Sequence, residues 1–560
     1  MPEDLNTQLG RLAAELTDGA EVPVQLERPR NADHGDLSTN LALMLAKRVG
    51  RAPRDVAATL IGRLDLPAAG LASAEIAGPG FINFRFGSAQ IQAHVAAILA
   101  ADRAYGRVQT AEPKRYQVEF VSANPTGPLH VAHGRGAAIG DAIASLLQWA
   151  GHSVYREFYV NDAGVQIDRL AASLDARLRA AAGGALEIPE GGYHGEYLAE
   201  MAATVEAQQG TALRALTDEA RLGVLRDYAV NALRAEQDRD LRDFGVVFDN
   251  YFLETSLYSN DSLPDTLAEL KAKGLTYEAD GATWLRTSEF GDDKDRVLVK
   301  KDGSYTYFLP DIAYHRDKLQ RGFDHGINIW GADHHGYVPR MKAVLAALGH
   351  PDFLDVEIVQ MVRIMRGGTE AKLSKRAGDY VSLRELIDET GKDVARYFFL
   401  MRRGDTQMLF DLDLALDHSD KNPVYKVQYA HARLMSIFRK AGVAPETITA
   451  SPADLAHLTD AREQDLIKQI STFPAVVERA AAARAPHMIC DYLETTAAQV
   501  NSWYHAGSPG RNPELAVLVA DPALRNSRLA LARAIQIVLR NGLLLLGLDA
   551  PDQMTREETE

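Results

Sequence analysis

The stretch Ser122-Ala123-Asn124-Pro125-Thr126-Gly127-Pro128-Leu129-His130-Val131-Ala132-His133-Gly134 decides the fold. Before it, Tyr116 to Val121 reads as a strand. Within it, two prolines and a glycine mark a loop. After it, Ile139, Ile143, Leu146 and Leu147 recur at helical spacing from Val131 to Ala150, and Gly151 fits a C-cap. Val154 to Val160 reads as a second strand. Strand, loop, helix and strand in that order predict a parallel sheet. His130 and His133 then share one face of the helix's first turn, where free N–H groups and the positive dipole end lie. Imidazoles placed there can donate to a phosphate that gains charge in a transition state. Two helix-capping histidines fit the same pattern. A metal site does not, because His-x-x-His is not the i, i+4 helical pair and no further ligands accompany it.

Further along lies Lys372-Leu373-Ser374-Lys375-Arg376, flanked by Gly367-Gly368 and Gly378. Ammonium groups on a glycine-hinged loop can neutralise a pyrophosphate as it leaves. From these residues alone, a solvated basic loop is the plainer reading.

Around these motifs the chain divides into three. Residues 1–110 read as a small α/β unit. Leu37 to Arg48 has a helical pattern, Gly78-Pro79-Gly80 turns into the alternating strand Phe81 to Phe86, and Gln90 to Ala101 is helical. Residues 111–410 read as a Rossmann-like parallel-sheet domain carrying a helical insertion at about 166–290. Its later strands are expected at Arg296–Lys300, Tyr305–Phe308, Ile327–Trp330 and Val356–Met361. Helices are expected at Ile312–Leu319 and Val338–Leu348. Residues 411–560 read as an all-α bundle. The expected fold class is therefore α/β, with a small α/β domain in front and a helical bundle behind.

Length and composition set outer bounds. At 560 residues the chain exceeds one ordinary domain, and 46% hydrophobic content can fill several cores. No apolar run is long enough to span a membrane, since Leu529 to Leu548 is broken by Arg533 and Arg540. The start, Met1-Pro2-Glu3-Asp4, lacks the features of a signal peptide. The single cysteine, Cys490, excludes an internal disulfide and a multi-cysteine zinc site, so a cytoplasmic location is expected. The net charge of −15 argues against a nucleic-acid partner. Yet Lys421 to Lys440 carries Lys421, Lys426, Arg433, Arg439 and Lys440 with no carboxylate, interleaved with Tyr425, Tyr429 and His431. A solvated helical face and a nucleic-acid surface both fit that segment.

Taken together, the two short motifs are similar to the signatures of the class I aminoacyl-tRNA synthetases. His130-Val131-Ala132-His133 resembles the first, with Ala132 where the family has glycine, and Lys372-Leu373-Ser374-Lys375 resembles the second. Longer strings resemble the arginyl-tRNA synthetases specifically. They are Val118 to Pro128, Gly331-Ala332-Asp333-His334-His335-Gly336-Tyr337 and Asn422 to Arg433, and the resemblance covers nearly the whole chain. It implies an arginine–tRNA ligase acting on L-arginine, ATP with Mg2+ and tRNA(Arg), with no tightly bound metal and a monomer as the expected state. It implies ATP contacts from His130, His133, Gly134, Lys372, Ser374 and Lys375. It implies arginine contacts from Glu119, Asn124, Tyr307 and Asp311, with Asp311 as a bidentate guanidinium acceptor. The glutamine the family often offers near Asp333 or His334 is missing. For Asp311, a helix N-cap after Pro310 fits the local sequence as well. The resemblance also implies tRNA contacts from Phe81 and Asn83 at the elbow, and from Lys421, Lys426, Tyr429 and Arg433 in the helical bundle. It implies arginine activation that depends on bound tRNA, and no editing domain. Two other readings compete. A small-molecule nucleotidyltransferase would exchange ATP and pyrophosphate without tRNA. A silent RNA-binding paralogue would not charge tRNA at all.

Overall fold

The computed structural model describes residues 4–20, 22–27, 29, 34–371, 381–507 and 512–554. They fall into two compact units. One comprises Met1–Tyr105, Ala430–Phe473 and Thr496–Leu539; the other comprises Gly106–Tyr429, Pro474–Thr495 and Arg540–Glu560. No described helix is long and apolar enough to cross a membrane.

In the first unit, β1 (Leu37–Thr39), β2 (Leu71–Ala77) and β3 (Phe81–Phe86) form an antiparallel sheet in the order β1-β3-β2. Helices Leu5–Leu16, Leu41–Val49 and Pro53–Arg63 cover one face. Leu9, Leu41, Leu45, Val56 and Leu60 pack there on Ile82 and Phe84. Each such side chain contributes roughly 1.5–3 kcal/mol on full burial. The sequence reading began a helix at Leu37. Instead Leu37 to Thr39 pair with Ile82 to Phe84, and the helix starts only at Leu41, after Asn40. Edge pairing with a central strand satisfies those three backbones better than an extra helical turn.

In the second unit the chain forms β4 (Arg115–Glu119), β5 (Ser153–Val160) and β6 (Asn250–Leu253), with the helix Val131–Trp149 crossing from β4 to β5. Between β5 and β6, helices Val165–Ala181, Tyr197–Arg214 and Asp218–Asp243 build a core of their own around Leu170, Leu174, Leu198 and Leu225. Next come β7 (Thr276–Ala279), β8 (Ala282–Leu285) and β9 (Arg296–Val299), a separate antiparallel sheet. The helix Phe308–Gln320 leads to β10 (His325–Gly331), and Val338–Leu348 to β11 (Leu354–Val359). A third small sheet follows, from β12 (Val362–Arg366), β13 (Thr369–Glu370) and β14 (Met408–Asp411). Two expected strands change place. Arg296–Lys300 belongs to the antiparallel sheet. Tyr305–Phe308 makes only an isolated bridge, Val299 to Tyr305, before Phe308 starts a helix with Pro310 in its first turn.

The large sheet runs β11-β10-β4-β5-β6, all parallel. From β4 the chain winds one way to β5 and β6, then returns on the other side to β10 and β11. The connections therefore part between β4 and β10 and leave a crevice at their carboxyl ends, where open α/β sheets bind ligands. After residue 411 the described chain is nearly all helix, and its helices divide between the two units.

Candidate active site

The ladder of β4 ends at Glu119, earlier than the sequence suggests. Val121 and Ser122 both take positive φ, 68° and 42°, and the Ser122 N–H donates to the Phe120 carbonyl at 3.0 Å. This is a tight γ-turn centred on a β-branched residue, a conformation costing on the order of 1–3 kcal/mol. The turn aims the Ser122 hydroxyl back at the strand end. There it donates to Glu119 Oε1 at 3.1 Å and accepts from the Tyr159 N–H at 3.2 Å.

Across the following loop, His130 is the N-cap of the helix Val131–Trp149 and His133 its third residue. The two rings stack 3.5 Å apart at 15°. His130 Nδ1 accepts the His133 N–H at 3.2 Å, and His133 Nδ1 accepts the His130 N–H at 3.3 Å. The histidines therefore do cap the helix, but capping does not exhaust them. An Nδ1 that accepts has no proton, so in both neutral rings the proton sits on Nε2. Burial pushes both below the ordinary histidine range, His133 to about 3, with the neighbouring His130 adding to the effect there. The result is a pair of uncharged donors whose tautomers the backbone fixes.

Lys372, Ser374 and Lys375 lie outside the described residues. The residues that follow them are held at this helix start. Val131 N–H donates to Val381 O at 3.1 Å, and Leu383 N–H donates to Leu129 O at 2.7 Å. Gly134 explains the close approach: a Cβ built on it would stand 2.6 Å from Leu383 Cδ1. Its place in the motif thus has a packing reason. Ala132 is half-buried.

At the β4–β10 crevice lies a cavity of about 440 Å³. Glu119, Ser122, Tyr159, Tyr307, Asp311, His315, Asn328 and Tyr337 are among the residues lining it. Asp311 is the fourth residue of the helix Phe308–Gln320, whose N-cap position is Tyr307; the N-cap alternative for Asp311 therefore fails. Tyr337 donates its hydroxyl to Asp311 Oδ2. Burial drives the Asp311 carboxyl up to about 7, against the lowering effect of the Tyr337 bond, and the charges of Glu254 and Glu119 raise it further. Tyr307 is 76% exposed at the rim. A cavity walled by carboxylates and phenol hydroxyls fits a planar cation.

Beneath the cavity is a buried polar floor absent from the sequence reading. Lys318 is completely buried and donates to Glu119 Oε2 at 2.7 Å and Asn328 Oδ1 at 2.9 Å, 4.4 Å from the centre of the Tyr314 ring. Burial lowers its ammonium, opposed by Glu119. Burial also lowers His315, to about 3. A signal for this floor was present: Asp311, Tyr314, His315 and Lys318 fall at i, i+3, i+4 and i+7, one face of one helix.

The remaining expected residues lie elsewhere. Asn124 is not among the cavity-lining residues; its amide donates to Gln166 Oε1 at 2.7 Å. On β3, Phe81 and Asn83 share the face opposite buried Ile82 and Phe84, and Phe81 is 41% exposed. Lys421 is exposed, while Lys426 and Tyr429 are half-buried. Tyr429 stacks on Tyr425 at 5.7 Å and 10°. The Arg433 guanidinium donates to Asn501 Oδ1 at 2.6 Å and lies over Tyr504. Among the described residues no cluster of three His, Cys, Asp or Glu side chains could hold a metal ion.

The chain is similar to known proteins along its whole length. Residues 3–86 match the family described as arginyl tRNA synthetase N terminal domain. Residues 94–407 match tRNA synthetases class I (R), catalytic domain, and residues 427–554 match the DALR anticodon binding domain. The arginine–tRNA ligase of Geobacillus kaustophilus is 47% identical over 97% of this chain and 96% of its own. That of Bordetella pertussis is 49% identical over 96% of each. The Thermus thermophilus arginyl-tRNA synthetase structure shares the fold, with a TM-score of 0.73 at 24% identity, over 98% of this chain and 100% of its own. A Campylobacter jejuni chain described as an arginyl t-RNA synthetase has a TM-score of 0.76 at 32% identity, over 84% of this chain and 100% of its own. With family profiles matched along its length and relatives close to half identical from end to end, the chain belongs to the class I arginyl-tRNA synthetases.

Proposed function

We propose that the cavity between β4 and β10 is the arginine site of this ligase, with Asp311 as the carboxylate that meets the guanidinium. The reaction is ATP-dependent activation of L-arginine to arginyl-adenylate, followed by transfer to the 3′ end of tRNA(Arg). The observation carrying the site assignment is the position of Asp311. A carboxylate held by Tyr337 faces a cavity at the switch point of the sheet, beside the strand end that leads to the imidazole pair.

In this reading Tyr307 covers the guanidinium from the rim, and Glu119 with Asn124 serves the α-amino end of arginine. Asn124 reaches it by exchanging its Gln166 partner for substrate. The arginine carboxylate attacks the α-phosphate, an oxygen–phosphorus bond forms, and pyrophosphate leaves. His130 and His133 donate through Nε2–H to phosphate oxygens as charge builds on them, while Gly134 keeps the helix start closed against Leu383. Lys372, Ser374 and Lys375 attend the departing pyrophosphate. Magnesium, bound as part of the ATP complex, supplies positive charge against the phosphates. The adenylate carbonyl is then attacked by the terminal ribose hydroxyl of tRNA. The protein contributes positioning and electrostatics, with no covalent step of its own.

For tRNA, Phe81 and Asn83 supply a stacking ring and an amide at the elbow, and Lys421, Lys426, Tyr429 and Arg433 form the anticodon-side surface. Activation that waits for tRNA, a monomeric state and a cytoplasmic location complete the proposal. Citrulline, a neutral isostere of arginine, tests the cavity. ATP–pyrophosphate exchange in the presence of tRNA is expected with arginine and not with citrulline or lysine. Equal exchange with citrulline would remove the carboxylate from its assigned role.

A further inference from the structure

The two ends of the cavity are joined by an unbroken run of hydrogen bonds. At one end His315 Nδ1 lies 2.8 Å from the Asp311 carbonyl, and His315 Nε2 lies 3.1 Å from Asn328 Nδ2. Asn328 Oδ1 accepts from Lys318, which also donates to Glu119, which accepts from Ser122. Every orientation in the run follows from one group. An ammonium only donates, so Asn328 must turn its oxygen to Lys318 and its NH2 to His315. His315 Nε2 must then accept, which leaves the proton on Nδ1 to be donated to the Asp311 carbonyl. The main chain that carries the guanidinium acceptor is thus tied to the carboxylate at the opposite end through a single buried cation.

We propose that Lys318 is a positioning residue for arginine: its ammonium sets the direction of this run and balances Glu119, so that the cavity meets its cationic substrate with both ends in register. The proposal rests on the reading of Asp311 and Glu119 as arginine contacts. The charged and titratable groups facing Lys318 are Glu119 from β4, Glu157 from β5, Tyr314, His315 and Asp317 from its own helix, and Arg321 just after it, with Asn328 from β10. Asp317 pairs with Arg321 at 2.7 Å. Glu157 is already occupied: Arg321 binds both its oxygens at 2.7 Å, and Tyr314 and Asn250 donate to it at 2.8 Å. Without Lys318, Glu119 is therefore the carboxylate left without a cation.

The test compares Lys318→Met, Lys318→Arg and the double variant Lys318→Met/Glu119→Gln in the full-length enzyme with tRNA. Lys318→Met is expected to raise KM for arginine roughly 30-fold or more, since an uncompensated buried charge is left behind. KM for ATP should stay within about twofold, a loss too small to reflect a contact in the nucleotide site. Lys318→Arg, which keeps the cation, should restore the arginine KM in part, and adding Lys318→Met to Glu119→Gln should cost little further arginine affinity, because the two residues act through one pair. A Lys318→Met enzyme that only melts earlier, with arginine KM unchanged, overturns the proposal. If Lys318→Met does not fold, Asn328→Leu decides, because it cuts the run and leaves the Lys318–Glu119 pair in place; an unchanged arginine KM there overturns the proposal too. If Asp311→Asn and Glu119→Gln both leave arginine KM unaltered, the underlying cavity reading falls instead.

Discussion

The two halves of the site treat charge in opposite ways. At the helix start proposed to meet the triphosphate, His130 and His133 present neutral donors: their Nδ1 atoms are occupied by backbone N–H groups, and burial disfavours charging either ring. In the cavity proposed for the amino acid, burial raises the cost of ionising Asp311, and the Glu119 carboxylate is held by a buried ammonium. The contrast follows from the ligands. A triphosphate arrives with its own counterion, and a fixed neutral dipole gains most as phosphate charge grows. A guanidinium arrives bare, and only an anion distinguishes it from a neutral isostere. In the proposed reading, the phosphate side gains insensitivity to pH, and the arginine side gains selectivity at the expense of pH sensitivity.

The largest break in this comparison should come from Asp311→Ala. Removing the carboxylate leaves a desolvated cation without an acceptor, a loss of roughly 3–5 kcal/mol, or about 10²–10³ or more in kcat/KM for arginine charging. ATP binding should be little changed, and circular dichroism should show the fold retained. Charging near the unsubstituted rate would refute the guanidinium assignment. On the other side, His133→Ala removes one preorganised donor and should lower kcat about 10²- to 10³-fold with arginine KM nearly unchanged. A variant that loses arginine affinity and keeps kcat would show that the imidazoles do not face the reacting phosphate.

Acid titration sharpens the same comparison. The Asp311 carboxyl is raised to about 7 in the free site, and a bound guanidinium favours its ionised form. As pH falls below about 7 the free site takes up a proton that arginine must expel. The arginine dissociation constant should therefore rise about tenfold per pH unit there, with close to one proton released on binding. The sign for folding is opposite. A carboxyl raised above its unfolded value favours the folded state at low pH, and that contribution is lost as pH rises toward 7. The buried histidines act on folding with the other sign: burial lowers both, so the unfolded chain takes up protons that the folded one resists, and their contribution is lost as pH falls below the ordinary histidine range. Calorimetry in buffers of different ionisation enthalpy measures the proton count, and a count near zero at pH 6 would contradict the raised carboxyl.

What could be read in the sequence was whatever rests on local spacing. The loop after β4, the helix at Val131 and the strand at Phe81 are each fixed by turn residues and periodicity within about a dozen residues. The cavity walls were legible through the acceptors a planar cation wants and through a resemblance, which singled out Asp311, while the proline before it suggested an N-cap instead. The floor was not seen, although Tyr314, His315 and Lys318 were in plain view. Its partners, Glu119 and Asn328, come from strands some 200 and 10 residues away in sequence, brought together by the parallel pairing of β10 with β4. Lysine in an apolar helix reads as solvent-facing until the strand carrying its carboxylate is known. The segment Tyr305–Phe308 misled for the converse reason: its alternating aromatics look like a strand, and only Pro310 in the following turn signals the helix start.

The smallest predicted effect lies on the sheet face proposed to meet tRNA. On β3, Phe81, Asn83 and Arg85 project to one face while Ile82 and Phe84 are fully buried on the other. The core therefore uses the even positions and leaves Phe81 free of any packing duty that its 41% exposure would not already betray. A half-exposed ring on a sheet surface offers a flat face that an unpaired base can cover. Stacking of one unpaired base contributes on the order of 1–3 kcal/mol, and a partly covered ring should fall near the lower end. Phe81→Ala should accordingly weaken tRNA binding about fivefold, with KM for ATP and thermal stability nearly unaltered. Asn83→Ala should have a similar or smaller effect. Filter binding at fixed ionic strength reads both variants. Equal tRNA affinity before and after the Phe81 change would return this face to an ordinary sheet surface, while a large fall in melting temperature would show the ring belongs to the core after all.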